Sequence, residues 1–175
     1  MYYIGIDPSL LATAIVTLRD IGDLHSSKVI SSKYKGVKRL RDLRDQIHTH
    51  LCSFSSGIVL PVFIENYSYG SRIGQAFSIG EWGGVLRVLL DELGHVVTEV
   101  APTTLKKFVA GKGNVKKDIM IKEVFRKWEF DVSDDNEADA FGLAKICWSA
   151  SNQKNLTKTE LEVIKTVMKK KEVIS

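Results

Sequence analysis

Three carboxylates in this chain stand where regular structure would hold them rigid. Asp7 closes the apolar run Tyr2-Tyr3-Ile4-Gly5-Ile6, and Glu65 closes Val59-Leu60-Pro61-Val62-Phe63-Ile64. Asp139 lies in Asp134-Asp135-Asn136-Glu137-Ala138-Asp139-Ala140, at the start of an apolar helix. An acid at the end of a buried strand is costly to desolvate unless something compensates its charge. A divalent cation would do so. Magnesium and manganese take hard oxygen ligands, and magnesium needs few protein carboxylates because it keeps waters and substrate phosphates. Two such ions about 4 Å apart can activate water and stabilise the leaving oxygen of a phosphodiester. In that chemistry Asp7 would bridge the two ions, and Glu65 and Asp139 would each complete one shell. Without metal the clustered acids repel, and at least one pKa rises.

Asp139 needs a companion from its own helix. The positions three and four residues earlier share its face, and they are Asn136 and Asp135. Asn136 offers a neutral carbonyl oxygen and Asp135 a full charge; the pattern leaves the choice between them open. Asp134, Asp135 and Glu137 also have a plainer account. Acids in a first helical turn cap exposed N–H groups and favour the helix dipole without any catalytic task.

The elements that must position these acids follow from the apolar pattern. Residues 2–6, 12–18 and 28–34 read as three strands joined by short links, an antiparallel meander. Val37, Leu40, Leu43, Ile47 and Leu51 recur at helical spacing with Arg39, Arg41, Arg44 and Asp45 on the other faces, giving an amphipathic helix. Residues 58–64 are nearly all apolar, as in a strand buried on both faces. A loop spans residues 70–74. A helix over 75–93 carries Gly83 and Gly84, which suggest close approach of the sheet or of a second subunit. A strand over 96–100 and helices over 102–110, 116–128 and 137–149 follow. Residues 151–155 are linker-like, and Thr157-x-x-Glu160 is a capping box opening a last helix that ends in Lys169-Lys170-Lys171. The order is α/β with an antiparallel start and parallel additions, which can set the first and fourth strands side by side and bring Asp7 and Glu65 to one sheet edge.

A chain of 175 residues, 44% hydrophobic and 26% charged, suits one compact domain. The net charge of +4 permits an anionic partner such as nucleic acid, although a slight excess of lysine on a soluble domain accounts for it equally. Cys52 and Cys147 sit among apolar neighbours on expected helices, as buried thiols in a reducing compartment would. No stretch reaches membrane-spanning length. The expectation is an intracellular, soluble protein.

Ile4-Gly5-Ile6-Asp7-Pro8-Ser9, Phe63-Ile64-Glu65 and Asn136-Glu137-Ala138-Asp139-Ala140 resemble the three acidic motifs of the RuvC-type Holliday junction resolvases. The segment from Ala101-Pro102-Thr103-Thr104 through Gly111-Lys112-Gly113-Asn114 to Lys116-Lys117 is similar to the stretch that carries two functional lysines in that family. Gly74-Gln75-Ala76 with Gly83-Gly84-Val85 is similar to its central helix, and Glu65-Asn66-Tyr67-Ser68-Tyr69-Gly70 is nearest its phage-type members. The resemblance spans residues 1–150. It implies an RNase H-like mixed five-stranded sheet, with the first three strands antiparallel and the rest parallel, flanked by helices. Residues 1–150 would be the nuclease domain and 151–175 a linker and lysine-rich helix, here read as a solvated tail.

What the resemblance implies for function is a homodimeric, cytoplasmic endonuclease (in the host cytoplasm if phage-encoded). It would cut four-way or branched DNA, using two Mg2+ ions per site with Mn2+ able to substitute. Asp7, Glu65, Asn136 and Asp139 would hold metal. Lys117 joins Asp7, Glu65 and Asp139 as catalytic, and Lys106, Lys107, Lys116, Lys117, Tyr69 and Arg72 would meet DNA. The lysine alignment is open by one residue, between 106 and 107 and between 116 and 117. Tyr67 or Tyr69, flanking Ser68 where an aromatic wedge is expected, could stack on an unpaired base. Asn136 departs from the acid or histidine usual at its position. The alternatives are another RNase H-like nuclease, acting on flaps or RNA–DNA hybrids, and a non-cleaving junction-binding protein.

Overall fold

Central strands apolar on both sides build a sheet whose two faces are each covered by helices. The computed structural model describes residues 1–55, 57–66 and 73–172. The strands are β1 (Tyr2–Asp7), β2 (Thr13–Arg19), β3 (Leu24–Ile30), β4 (Pro61–Glu65) and β5 (Val96–Val100). The helices are α1 (Gly36–Ser55), α2 (Ile73–Glu92), α3 (Pro102–Ala110), α4 (Lys117–Trp128), α5 (Asp135–Asn152) and α6 (Lys158–Glu172). The sheet order is β3-β2-β1-β4-β5. β2 runs antiparallel to both β1 and β3, while β4 lies parallel to both β1 and β5. The expected mixed sheet with an antiparallel start is therefore present.

Successive side chains of a strand face opposite ways, and this divides the core. Ile4, Ile6, Ile15, Val62 and Ile64 pack with Leu43 and Ile47 of α1 and Trp82, Leu86 and Leu89 of α2. Tyr3, Val16, Leu18, Phe63 and Val100 pack with α3 to α6. Asp7 and Glu65 share the parity of Tyr3 and Phe63, so both acids point to the α5 side.

The α5 helix crosses β1 at very short range. A Cβ on Gly5 would stand 2.1 Å from the Ala140 carbonyl oxygen and 2.3 Å from the Ala144 nitrogen. Only a glycine permits that approach. At Gly142 an added Cβ would meet Leu105 and Val109 of α3 at 2.7 and 2.8 Å. The start of α5 is fixed by Asp134, which accepts from the Glu137 N–H at 2.8 Å, and by the Glu137 carboxylate, which accepts from the Ser133 N–H at 2.6 Å and from the Ser27 hydroxyl of β3. Glu137 is thus a buried strut between α5 and the edge strand. Lys145 of α5 donates to the Gly22 carbonyl at 2.6 Å and lies 5.4 to 5.8 Å from the ring centres of Phe141, Trp128 and Trp148, holding the β2–β3 turn.

Four expectations need correction. The third strand is 24–30, not 28–34. The turn at Asp20–Asp23 closes tightly, with Gly22 at φ 84° and its N–H on the Arg19 carbonyl at 2.8 Å, so pairing resumes at Leu24. β3 is a largely exposed edge strand, Leu-His-Ser-Ser-Lys-Val-Ile, and lacks the apolar pattern that marks the buried ones. The fourth strand starts at Pro61, because Ile58 and Val59 lie on the surface in the turn after α1. Gly84 has open space around it within the chain, so of the two expected partners the sheet is absent there and a second subunit is left, whereas Gly83 is buried. Cys147 is buried as expected, but Cys52 is only half-buried beside His48 on the outer side of α1.

The last helix is more than a tail. Its expected capping box is present, with the Thr157 N–H on Glu160 at 2.8 Å and the Glu160 N–H on the Thr157 hydroxyl at 3.3 Å. Val163, Ile164 and Val167 are buried in the same core as α3 and α5. Lys127 ties the end of α4 to this helix through Glu160 at 2.9 Å.

The Gly5 contact sets a testable limit. Gly5→Ala forces β1 and α5 apart, and overpacking against two backbones is expected to destabilise by about 3 kcal/mol. Urea denaturation measures it, and a loss below about 1 kcal/mol would contradict the close packing.

Candidate metal centre

Every element that carries a site residue ends or begins at one end of the sheet. β1 and β4 are parallel, and Asp7 and Glu65 lie one step beyond the Ile6–Ile64 pair. Glu65 is opposite Val100, after which Pro102 at the first turn of α3 redirects the chain and places Lys106 one turn on. Gly111, at φ 76°, ends α3 in the left-handed conformation. Gly113 then folds over Thr103, whose carbonyl oxygen is 3.0 Å from where a Cβ would be, and this returns the chain to begin α4 at Lys117. The Gly5 contact lays α5 across β1 so that Asp139 projects at the same end.

Oxygen atoms of Asp7, Glu65 and Asp139 all lie within 4.8 Å of one another, an arrangement that could hold a metal ion. Asp7 is 7% exposed, and the other two are half-buried. Burial is the largest influence on all three. It pushes Asp7 well above the usual carboxylate range, with the charges of Glu65 and Asp139 adding to the shift. Glu65 is raised to about 7 by burial and by Asp139, against which Lys106 and a side-chain hydrogen bond with Asp7 act. Asp139 is raised to about 6 by burial, opposed by Lys106 and Lys117. Three hard oxygen donors whose negative forms are mutually disfavoured fit a divalent cation, which removes the penalty that raises them.

The cluster opens into a cleft of about 520 Å³ lined also by Ser9, Leu11, Asn66, Ile79, Lys106, Lys117, Asp135 and Asn136. The lysines divide. Lys106 and Lys117 line the cleft, whereas Lys107 turns to α6 and pairs with Glu162 at 3.3 Å, and Lys116 stands exposed at the residue before α4. Lys117 pairs with Asp135, and the hydrogen bond to that carboxylate raises the lysine pKa. Of the two candidate companions of Asp139, Asp135 is thus engaged by Lys117, and Asn136 also faces the cleft. Tyr67, Ser68, Tyr69 and Arg72 lie outside the described residues.

Two supports were beyond sequence reasoning. The Thr13 hydroxyl donates to the Ser9 carbonyl at 2.7 Å and accepts from the Trp82 indole N–H at 3.0 Å. This pins the Asp7-Pro8-Ser9 turn to α2. The other support is the Glu137 strut. Its Asp134-x-x-Glu137 spacing signals a cap, but nothing in the chain announces Ser27 as its partner.

No family model matches the chain. The crossover junction endodeoxyribonuclease RuvC of Mesorhizobium japonicum is 28% identical over 162 residues, which is 86% of this chain and 90% of that protein. Among solved structures, Thermus thermophilus RuvC aligns with a TM-score of 0.71 at 19% identity, covering 87% of this chain and 97% of that one. The structure of T. thermophilus RuvC in complex with Holliday junction substrate aligns with a TM-score of 0.67 at 19% identity over 83% of this chain and 91% of that one. These likenesses bear out the resemblance drawn from the three acidic motifs and the RNase H-like fold, and they carry nothing on a phage origin. Among the described residues no helix is long and apolar enough to cross a membrane.

The raised acids dictate a pH dependence. Between about pH 4 and 7 the folded, metal-free chain retains protons that the unfolded chain has released, so this cluster makes stability fall as pH rises. With a chelator present, the melting temperature of the wild type should therefore drop more steeply from pH 5 to 8 than that of Asp139→Asn, and Mn2+ should restore it at pH 8. Parallel slopes for the two proteins would refute the electrostatic account.

Proposed function

We propose that this chain, RuvC-type in sequence and RNase H-like in fold, is a metal-dependent endonuclease that resolves Holliday junctions and cuts related branched DNA. The observation that carries the reading is the convergence of Asp7, Glu65 and Asp139 within 4.8 Å at the base of a cleft flanked by Lys106 and Lys117. Its likeness to a crossover junction endodeoxyribonuclease over 86% of its length supports the substrate class.

Asp7, Glu65 and Asp139 hold magnesium, at two ions per site with manganese able to substitute, and Asn136 contributes a neutral oxygen. The bound metal supplies Lewis-acid stabilisation of the phosphodiester and an activated water. The protein supplies placement. The β1 and β4 ends fix two carboxylates on one rigid sheet, and α5 fixes the third, so the donors need little reorganisation. Lys106 and Lys117 offset the phosphate charge, and the release of Lys117 from Asp135 makes its ammonium available to substrate. The cleft walls include the apolar side chains of Leu11 and Ile79. Tyr69 and Arg72 remain proposed DNA contacts, as do Lys107 and Lys116 at the periphery.

A homodimer is part of the reading, because resolution needs two symmetric cuts. The outer face of α2 supports it: Phe77 and Val88 are 71% and 58% exposed, with Gly84 open between them. Residues 1–150 carry the nuclease site, and the lysine-rich helix α6 buttresses it from the same core. The enzyme acts in the cytoplasm.

Two measurements test this. With synthetic four-way junctions and Mg2+, Asp7→Asn should bind normally but cut about 1,000-fold more slowly, a loss of about 4 kcal/mol. Equal cutting of junction and linear duplex by the wild type would remove the structure selectivity, and no cutting with either Mg2+ or Mn2+ would refute the enzyme reading. Separately, Asn136→Ala should lower the cleavage rate about 10-fold and raise the metal concentration required, whereas Asp135→Ala should leave the metal requirement unchanged. The reverse pattern would make Asp135 the fourth ligand.

A further inference from the structure

One dense run of positive charge lies in a segment that the metal centre does not use. Lys33, Lys35, Lys38, Arg39 and Arg41 stand within nine residues that contain no acid, and these five charges exceed the whole chain's net +4, leaving the remainder at −1. Several basic side chains elsewhere are paired: Arg19 with Asp23, Arg44 with Glu92, Lys107 with Glu162, Lys127 with Glu160. Among the described residues none of the five forms an ion pair. The nearest acids are engaged otherwise, Asp42 with Gln46 and Asp45 with Arg44. Lys33, Lys35, Lys38 and Arg41 are all exposed. The first turn of α1 contains no acid, so its cations oppose the helix dipole without internal compensation. A local rule broken this way without gain inside the fold suggests a use outside it.

Strand register says where the segment lies. Asp7 is opposite Ala14, and Ala14 is opposite Val29. Val29 is therefore about 10 Å from Asp7, two strand spacings along the hydrogen-bonding direction. β3 ends one residue later at Ile30, at the same end of the sheet as the metal centre, and the basic segment begins there. The α1 helix packs on the sheet face opposite α5. The cleft itself crosses toward that face, since its lining runs from Asp139 of α5 over Ser9 and Leu11 to Ser78 and Ile79 of α2, the helix beside α1. The segment has a fixed shape: the Arg39 guanidinium Nε–H donates to the Tyr34 carbonyl at 2.8 Å, and the Lys33 ammonium lies 5.6 Å from the Tyr34 ring centre.

We infer that Lys33, Lys35, Lys38 and Arg41 form a second DNA-contacting surface, which holds the phosphate backbone of a duplex arm as it leaves the cleft across the end of the sheet. The inference rests on the proposed action on branched DNA and adds to it a place for an arm. The spacing is suitable. Duplex rises about 3.4 Å per base pair, so with Val29 about 10 Å from Asp7 and Lys33 four residues further along the chain, the surface starts roughly three or more base pairs out from the scissile phosphate. Contacts of this kind position the arm and carry no sequence preference. Arg39 is excluded because its guanidinium holds the loop.

The test combines Lys33→Gln, Lys35→Gln, Lys38→Gln and Arg41→Gln in one protein, with circular dichroism and melting temperature to verify that it folds. Junction binding is measured from 50 to 200 mM salt without divalent metal. If all four side chains touch phosphate, the affinity advantage of the wild type should shrink roughly 100-fold across that range, because the logarithmic salt slope falls by about 0.9 per contact. A version with Lys33→Arg, Lys35→Arg and Lys38→Arg should keep the wild-type slope. Junctions with arms cut to about three base pairs should abolish the difference between wild type and the glutamine variant. An unchanged slope for the glutamine variant, with a wild type that binds and cuts junctions, would overturn this inference and leave the nuclease reading intact. A wild type that does not bind junctions at all would overturn both.

Discussion

The contact between α5 and β1 at Gly5 is the constraint from which the site follows. A helix normally packs on a sheet through side chains, with its backbone well clear of the strand. Here a glycine in the middle of β1 faces Ala140 and Ala144, and the two backbones nearly touch. That approach draws Asp139 to the strand ends where Asp7 and Glu65 already stand. Gly142 repeats the device on the opposite side of α5 and admits α3, which carries Lys106. Small residues on one central helix therefore set the distances between acids, and between acids and lysines.

Electrostatics then works against the fold within a frame that packing has imposed. Asp7, Glu65 and Asp139 are all pushed toward their neutral forms by burial and by one another. The surrounding structure holds them there through contacts that have no part in the chemistry: the Thr13 hydroxyl between Ser9 and Trp82, the Glu137 strut to Ser27, and the Lys145 ammonium among three aromatic rings. Strain of this sort is typical of sites whose ligand completes them.

The acids and the sheet order were legible because both rest on short-range patterns. An apolar run ending in an acid, twice, and an acidic helix start gave the three residues, and an antiparallel start followed by parallel strands set Asp7 and Glu65 at one sheet edge. The third strand was displaced because an exposed edge strand of Ser, His and Lys carries no periodicity. The start of the fourth was misplaced because Ile58 and Val59 are apolar yet exposed, and sequence cannot distinguish a surface valine from a core one. Which of Lys106 and Lys107 faces the acids depends on the rotation of α3 about its axis, fixed by Leu105, Phe108 and Val109 in the core. Pairings such as Ser27 with Glu137 join residues far apart in the chain and leave no local trace.

The supply of the third acid by α5 also has a consequence for synthesis. Chains emerge from the ribosome from the N-terminus onward and fold domain by domain. When all five strands have emerged, the chain holds Asp7 and Glu65 but not Asp139, and the groove at Gly5 has nothing in it. The three-carboxylate cluster comes into being only when α5 closes on the sheet. A partly translated chain therefore lacks a complete site, which arrives together with the completed core.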